Sequence, residues 1–484
     1  MLTPSYLDGV AEPLAELWAK VERDITADII RRLLKADYLT PSAQWQVQKA
    51  REMGLTQRAI VKEVSAVTKI SRRTVRRTVE RACAESLNVS VAQYRKAGLD
   101  TAPLEGSQAM KQIVSAGVRQ TNGLMNNFTK TTAKTALKAF ENSLDRAWLK
   151  ISSGAFSLGQ AVRDAVAELA KNGMAKVAYP SGHTDQVAVA ARRAVITGVN
   201  HTAGEIQLQA AEAMGTDLVE VSSHPGARPS HAEWQGGIYS VSGKSEKYKP
   251  FRETTGYGTG PGLCGWNCRH SFYPFLEGVS EPLNKNDTLN GKTNDELYAE
   301  SQRQRELERR VRESKRECVA LDAARKNADP EQAAAYDAEF ARASKLLKQR
   351  EARLRDYCRE TDRKMLVDRV QVQGYTKSVS GKVSAMVKKA NAAYTTLAPT
   401  PDGRQTKATS HLMARAAERG VSADAINDAI RSPLHVKPAK EDTGGRKSQQ
   451  YIGNGATVVI NPETGNVIST WKTGTSARNK YGKE

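Results

Sequence analysis

The chain has 484 residues, 39% hydrophobic and 26% charged, with 73 basic against 53 acidic side chains and a formal net charge of +20. That length exceeds one ordinary core and points to several domains. No run reaches the roughly 18 consecutive apolar residues of a membrane span, no basic-then-apolar leader opens Met1–Pro13, and five sparse cysteines suit a reducing cytoplasm of synthesis rather than a disulfide framework. A positive excess of this size favours polyanions by displacing condensed counterions, with DNA, RNA and an anionic membrane surface all compatible.

Residues 1–150 read as helices, with apolar residues at helical spacing in Leu14, Leu17, Trp18, Val21, Ile25, Ile29 and Leu33. From Leu55 to Ala84 the pattern suggests a helix, a short turn near Thr68-Lys69-Ile70, and a second basic helix capped by Ser71. A helix-turn-helix DNA reader has this outline, and Arg72, Arg73, Arg76 and Arg77 would be its nucleic-acid contacts. The other reading is an ordinary helical pair with a basic face.

Residues 151–222 are again helical and rich in small side chains. Arg192–Met214 reads as one long helix ended by Gly215, and Leu218–Val221 as a strand. Periodicity then disappears from 223 to 276, where Gly, Pro, aromatics and histidines concentrate. Loops of that length inside a fold are functional or held by something specific. Residues 295–366 are dense in Arg, Glu, Lys and Ala, and Asp329-Pro330 stops one helix and starts the next, which predicts an antiparallel hairpin or coiled-coil arm. A polar stretch from about 374 to 408 reads as a linker.

From 409 the character changes again. Ser410 is the expected N-cap of a helix from His411 to Arg419, Gly420 ends it, and Ser422 starts a second helix to Ile430. Strands are predicted at Gln449–Ile452, Ala456–Ile460 and Val467–Trp471, the last two joined by the turn Asn461–Gly465. The unit of about 70 residues is near the lower limit for independent folding.

Two runs are distinctive: Ser223-His224-Pro225-Gly226-Ala227-Arg228-Pro229-Ser230-His231-Ala232-Glu233-Trp234-Gln235-Gly236, and Tyr257-Gly258-Thr259-Gly260-Pro261-Gly262-Leu263-Cys264-Gly265-Trp266-Asn267-Cys268-Arg269-His270. Together they resemble the signature of the phage minor capsid protein 2 family, a relative of the Mu F-like head morphogenesis proteins, over the N-terminus to about residue 370. The resemblance implies a structural role in the virion head interior. It implies portal, capsid or scaffold proteins and packaged DNA as partners, and makes the helix-turn-helix outline part of a capsid protein. The fold class expected is multidomain. It comprises a mainly α-helical capsid-associated region (1–150, then 151–290 with the loop-rich His/Cys segment), a helical hairpin arm (291–372), a linker (373–408) and a small α+β domain (409–476).

Chemically, His224, His231, Cys264, Cys268 and His270 are soft or borderline donors in one irregular segment. Four such ligands suit zinc, which can hold together a region lacking a hydrophobic core. The spacing Cys-x3-Cys-x-His differs from the usual Cys-x2-Cys pairs. The alternatives are histidines and cysteines that pack and hydrogen-bond in a tight loop, a Cys264–Cys268 disulfide, or a Cys–His thiolate pair from Cys264 or Cys268 with His224 or His231.

In the C-terminal unit His411 and Arg415 are four apart and share a helix face, with Arg419 one turn on. A neutral His can take a proton from a ribose 2′-hydroxyl and an Arg can clamp the phosphate, without metal. The order Ser410–Ser422, then Tyr451, then Val467–Trp471 resembles phage-associated nucleases of the barnase–EndoU–colicin–RelE-like group. That resemblance implies His411, Arg415 and Thr470 as catalytic, Tyr451 and Arg419 as accessory, and host RNA as the substrate of a metal-independent endoribonuclease or delivered toxin. The other reading is a structural tail in which His411 packs and Arg415 and Arg419 pair with Glu418 or Asp424. Two further readings of the whole chain are a helix-turn-helix regulator and a toxin whose capsid-like part serves only delivery.

Overall fold

The computed structural model describes residues 2–34, 45–173, 176–283, 288–328, 330–392 and 397–482. The molecule is mainly helical, with a small sheet region near the C-terminus. It divides into two compact units, Met1–Glu306 and Leu307–Glu484.

The first unit opens with α1 (Pro4–Val10), α2 (Glu12–Leu34), α3 (Trp45–Lys96), α4 (Gln108–Ser152) and α5 (Leu158–Asn172). Helix α4 crosses residue 150, where a domain boundary was expected. A short antiparallel pair, β1 (Lys176–Ala178) and β2 (Thr184–Gln186), leads into α6 (Val187–Ala213). Helix α6 is lined with Ala, Val and Ile and buries residues on most of its circumference, as a helix at the centre of a bundle must. Helices α2, α3 and α4 pack around it. α3 and α4 run antiparallel, tied by Lys49 to Asp145 (2.6 Å) near one end and by Arg72 to Asn126 (3.1 Å) further along.

α4 and α6 cross at an unusually close approach. Gly117 faces Thr202 and Gly198 faces Thr121, and a Cβ built on either glycine would stand 2.9 or 3.0 Å from the opposing threonine Cβ. Each threonine hydroxyl donates back to the carbonyl of the glycine on its own helix, Thr121 to Gly117 (2.8 Å) and Thr202 to Gly198 (2.6 Å), so neither hydroxyl is stranded at the crossing.

α6 ends at Gly215, which has a positive φ, and β3 (Leu218–Val221) follows. After α7 (Pro229–Ala232), β4 (Ile238–Ser240) and α8 (Phe251–Thr255), β5 (Phe272–Pro274) completes an antiparallel sheet with β3 at its centre, Val219 opposing both Tyr239 and Pro274. The irregular segment therefore has its own core, built from Val219, Val221, Trp234, Phe251, Tyr257 and Phe272 with both cysteines. The expectation of a region without a hydrophobic core is corrected here: beyond β3 its apolar residues are mostly aromatic and widely spaced, so they lack a period.

The stretch read as a helix-turn-helix is corrected as well. α3 passes through residues 55–84 as one continuous helix of 52 residues. Thr68 donates its hydroxyl to the Val64 carbonyl one turn back, and Ser71 is buried on the same seam as Val64, Val67 and Val75, so neither opens a turn. Among the described residues no helix is long and apolar enough to cross a membrane.

α9 (Asn294–Asn327) spans the point where the two units meet in sequence, and α10 (Pro330–Glu360) returns antiparallel to it. Arg325 pairs with Asp337 (2.9 Å), Arg342 with Glu317 (3.4 Å), and Arg350 donates to Ser314 (2.9 Å). Asp329, the expected helix stop, lies outside the described residues; Pro330 occupies the first position of α10, where its missing N–H is no loss.

The expected linker is corrected in part. α11 (Lys377–Ala392) lies within it, burying Val379 and Val383, while residues 393–396 lie outside the described set. Lys382 of α11 reaches Asp322 of α9 (3.0 Å), which Lys326 also holds (2.7 Å), with Arg325 3.9 Å away. Burial pushes the Asp322 carboxyl up, but the two lysine hydrogen bonds outweigh it and its pKa is lowered. The sign follows: Asp322 contributes stability above the ordinary aspartate pKa, and that contribution is lost as pH falls through its lowered value. Asp322→Asn should therefore destabilise the arm by roughly 1–3 kcal/mol at pH 7, discounted because both lysine heads reach water, and should flatten the acid limb of its unfolding curve. Denaturant titrations of both chains at pH 7 and pH 3 check this, and parallel acid limbs would remove Asp322 as the cause.

The remainder is β6 (Lys407–Ala408), α12 (Ser410–Arg419), α13 (Ala423–Arg431), β7 (His435–Val436), β8 (Lys440–Glu441), β9 (Lys447–Ile452), β10 (Ala456–Ile460), β11 (Asn466–Lys472) and α14 (Thr475–Tyr481). The sheet order is β6-β11-β10-β9-β7, with β8 on β9. Leu412, Ala416, Ile426 and Ile430 of the two helices pack on Tyr451, Val458 and Val467. Thr409, not Ser410, caps α12, accepting from the Leu412 N–H (3.0 Å) while donating to the Val467 carbonyl (2.7 Å).

Candidate functional site

A dense set of chemical groups lies in the irregular segment of the first unit. The end of β3 delivers His224, the short helix α7 carries His231, and the glycine-rich return loop places Cys264, Cys268 and His270 before β5. The loop can fold this tightly because Gly262 and Gly265 allow backbone against backbone: a Cβ on Gly262 would stand 2.9 Å from the Gly256 Cα, and one on Gly265 2.8 Å from the Gly260 carbonyl carbon. Cys264 and Asn267 adopt positive φ within the same turn.

Of the five donors read from the sequence, the fold gathers three. The ligand atoms of His231, Cys268 and His270 lie within 4.8 Å of one another, and the three residues are only 3%, 2% and 1% exposed. Cys268 Sγ is 3.8 Å from His231 Nδ1 and 3.7 Å from His270 Nδ1. The outer ring nitrogens are taken: His231 Nε2 meets the Pro261 carbonyl at 2.8 Å and His270 Nε2 meets Gln235 Oε1 at 3.0 Å. The other two donors stand beside this set. His224 stacks its ring on His270 at 4.3 Å with Nδ1 against the Pro225 carbonyl, and Cys264 directs its thiol at the His270 carbonyl (3.8 Å).

Burial lowers the pKa of all three histidines, His270 most strongly, so their imidazoles are held neutral. Burial raises both thiols, Cys264 well above the ordinary range. A reactive thiolate requires the opposite, a depressed pKa with access to solvent, so the Cys–His nucleophile finds no support here. All five cysteines are free thiols, Cys264 and Cys268 among them, so the alternative of a disulfide is set aside.

Two residues outside the expected set hold the site. Asn200 of α6 is 1% exposed and donates to the carbonyls of Cys268 (3.1 Å) and His270 (2.8 Å). Gln235 takes both the His270 ring and the His224 backbone N–H (3.0 Å) on one oxygen. A lone Asn in an Ala/Val-rich helix is a legible signal, since a buried amide needs partners; which partners is a tertiary matter.

Residues 2–359 match the family described as Phage minor capsid protein 2, a span that includes this whole site. The chain belongs to that family. It is also similar to a protein of Lactococcus phage LL-H described as "Structural protein", 26% identical over 299 residues that cover 58% of this chain and 78% of the relative. No solved structure matches.

Within this minor capsid family chain, the four arginines singled out in the sequence all lie on the solvent face of α3. Arg72, Arg73, Arg76 and Arg77 are exposed, as are Arg58, Lys62, Lys69 and Arg81, against Glu63 and Glu80. At 1.5 Å per residue the stripe is about 34 Å long. Val64, Val67, Val75 and Val79 on the opposite face fix it in place.

Residues 409–476 lie beyond the family match. His411 is exposed, and Arg415 pairs with Glu418 (2.8 Å). Arg419 donates to the Thr470 carbonyl (3.0 Å), with its guanidinium 5.9 Å from the Trp471 ring centre. Thr470, expected as catalytic, is fully buried and its hydroxyl donates to the Thr457 carbonyl (3.0 Å). Tyr451 opposes Val458, as Thr470 does from the other side, so both lie on the sheet face that α12 and α13 cover. Strand alternation decides this, and a one-residue difference in facing separates a ligand from a core residue.

Proposed function

We propose that this chain is a structural component of the virion head, set near the portal, that meets packaged DNA through the solvent face of α3. The match of residues 2–359 to the minor capsid family carries the reading, and the phage LL-H relative described as a structural protein supports it. The DNA contact rests on the basic stripe of α3, which offers charge without a helix-turn-helix docking element. Its contacts are to phosphates and independent of sequence. Partners of this kind are head, portal or scaffold proteins. The regulator reading loses its element in the continuous α3. The ribonuclease reading gains no separate support from residues 409–476, where Arg415, Arg419 and Thr470 are engaged with protein groups.

Quantitative mass spectrometry of purified, DNA-filled particles tests the proposal. The full chain is expected at a low, fixed copy number in every preparation. A chain abundant in infected cells and missing from particles would refute it.

A further inference from the structure

We propose that His231, Cys268 and His270 bind a zinc ion through Nδ1, Sγ and Nδ1, with Cys264 and His224 outside the coordination shell. The Pro261 carbonyl can only accept, so His231 Nε2 carries the hydrogen and Nδ1 is a lone pair. Gln235 presents Oε1 to the His224 N–H, which fixes the amide orientation, so His270 Nε2 must likewise donate to that oxygen. Both Nδ1 lone pairs then face one sulfur. A thiol has a single hydrogen and can satisfy one of them; the second buried nitrogen would face Cys268 without a donor. A cation in that space, with the thiol deprotonated, satisfies all three atoms.

The spacing agrees. Tetrahedral zinc with Zn–S about 2.3 Å and Zn–N about 2.05 Å sets sulfur and nitrogen about 3.6 Å apart. The observed separations are 3.8 and 3.7 Å. Each histidine also has the outer acceptor that orients a metal-bound imidazole, the Pro261 carbonyl for one and the Gln235 amide for the other. Two imidazoles and one thiolate suit zinc and are poor ligands for magnesium or calcium. Cys264 turns to the His270 carbonyl and His224 to its own loop, so a water completes the tetrahedron. Binding releases the Cys268 proton to solvent. The ion would join α7 to the loop before β5, a staple between two parts of a segment that has little regular hydrogen bonding of its own.

The test uses the full chain expressed with zinc in the medium and freed of loose metal. One zinc per chain is expected by elemental analysis. Zinc-edge X-ray absorption on the unmutated protein should show one sulfur at about 2.3 Å and the remaining ligands as nitrogen or oxygen near 2.0–2.1 Å. Cys264→Ser should retain full occupancy, whereas Cys268→Ser should lower zinc affinity by more than about a hundredfold. A folded, zinc-exposed chain without stoichiometric metal overturns the site. So does a shell with two sulfurs, or an equal loss in Cys264→Ser. The absorption measurement needs no variant, so misfolding of Cys268→Ser leaves the decision intact.

Discussion

Gly198→Ala is expected to destabilise the first unit by about 2 kcal/mol or more, although helix propensity alone would favour alanine by up to about 1 kcal/mol. The added methyl would overlap Thr121, whose Cβ stands 3.0 Å from where it would sit. Thr121 cannot rotate away freely, because its hydroxyl is bonded to the Gly117 carbonyl and it is 1% exposed. Relief would require α4 and α6 to separate, and α6 is the helix the bundle is built around. Gly117→Ala meets the mirror-image obstacle in Thr202 and should behave alike. Gly123→Ala on the same helix α4 has open space at its Cβ and should be neutral or stabilising by up to about 1 kcal/mol. Opposite signs for Gly198 and Gly123 in thermal unfolding would establish the close crossing. A Gly198→Ala chain as stable as the parent would show that the helices have room to spare.

Replacing Arg72, Arg73, Arg76 and Arg77 together by alanine should weaken binding to double-stranded DNA for every sequence tried. If all four sit on phosphates, the slope of log affinity against log salt becomes shallower by about 3 to 4. The fold should be unharmed. All four positions are exposed, alanine is the better helix former, and the contacts given up, Arg72 to Asn126 and Arg76 to Glu80 (3.8 Å), are solvent-facing and weak. The comparison is a titration at several salt concentrations on two unrelated duplexes. An unchanged salt slope would remove α3 as the DNA face, and loss confined to one duplex would mean that α3 reads base sequence.

The sequence by itself determined much of the element pattern. The long helix ended by Gly215, the strand at Leu218–Val221, the hairpin around Pro330, and the C-terminal helices and strands all follow from period and punctuation, which are local properties of the chain. It also marked His231, Cys268 and His270 as donors, because residue type is chemistry before it is geometry. What it could not decide was facing and company. A Thr-Lys-Ile-Ser-Arg-Arg run reads as a turn until the buried Ser71 is seen against its bundle. A Ser/Lys/Gly-rich stretch conceals the Val379–Val383 stripe of α11. Thr470 faces the core or the solvent by a single step of strand register. Three of five donors meet at a loop whose Cys268 and His270 carbonyls are held by Asn200, some 70 residues away on another element. Local hydrogen bonding and hydrophobic spacing set the elements; long-range packing, which no window of sequence contains, chose which side chains meet.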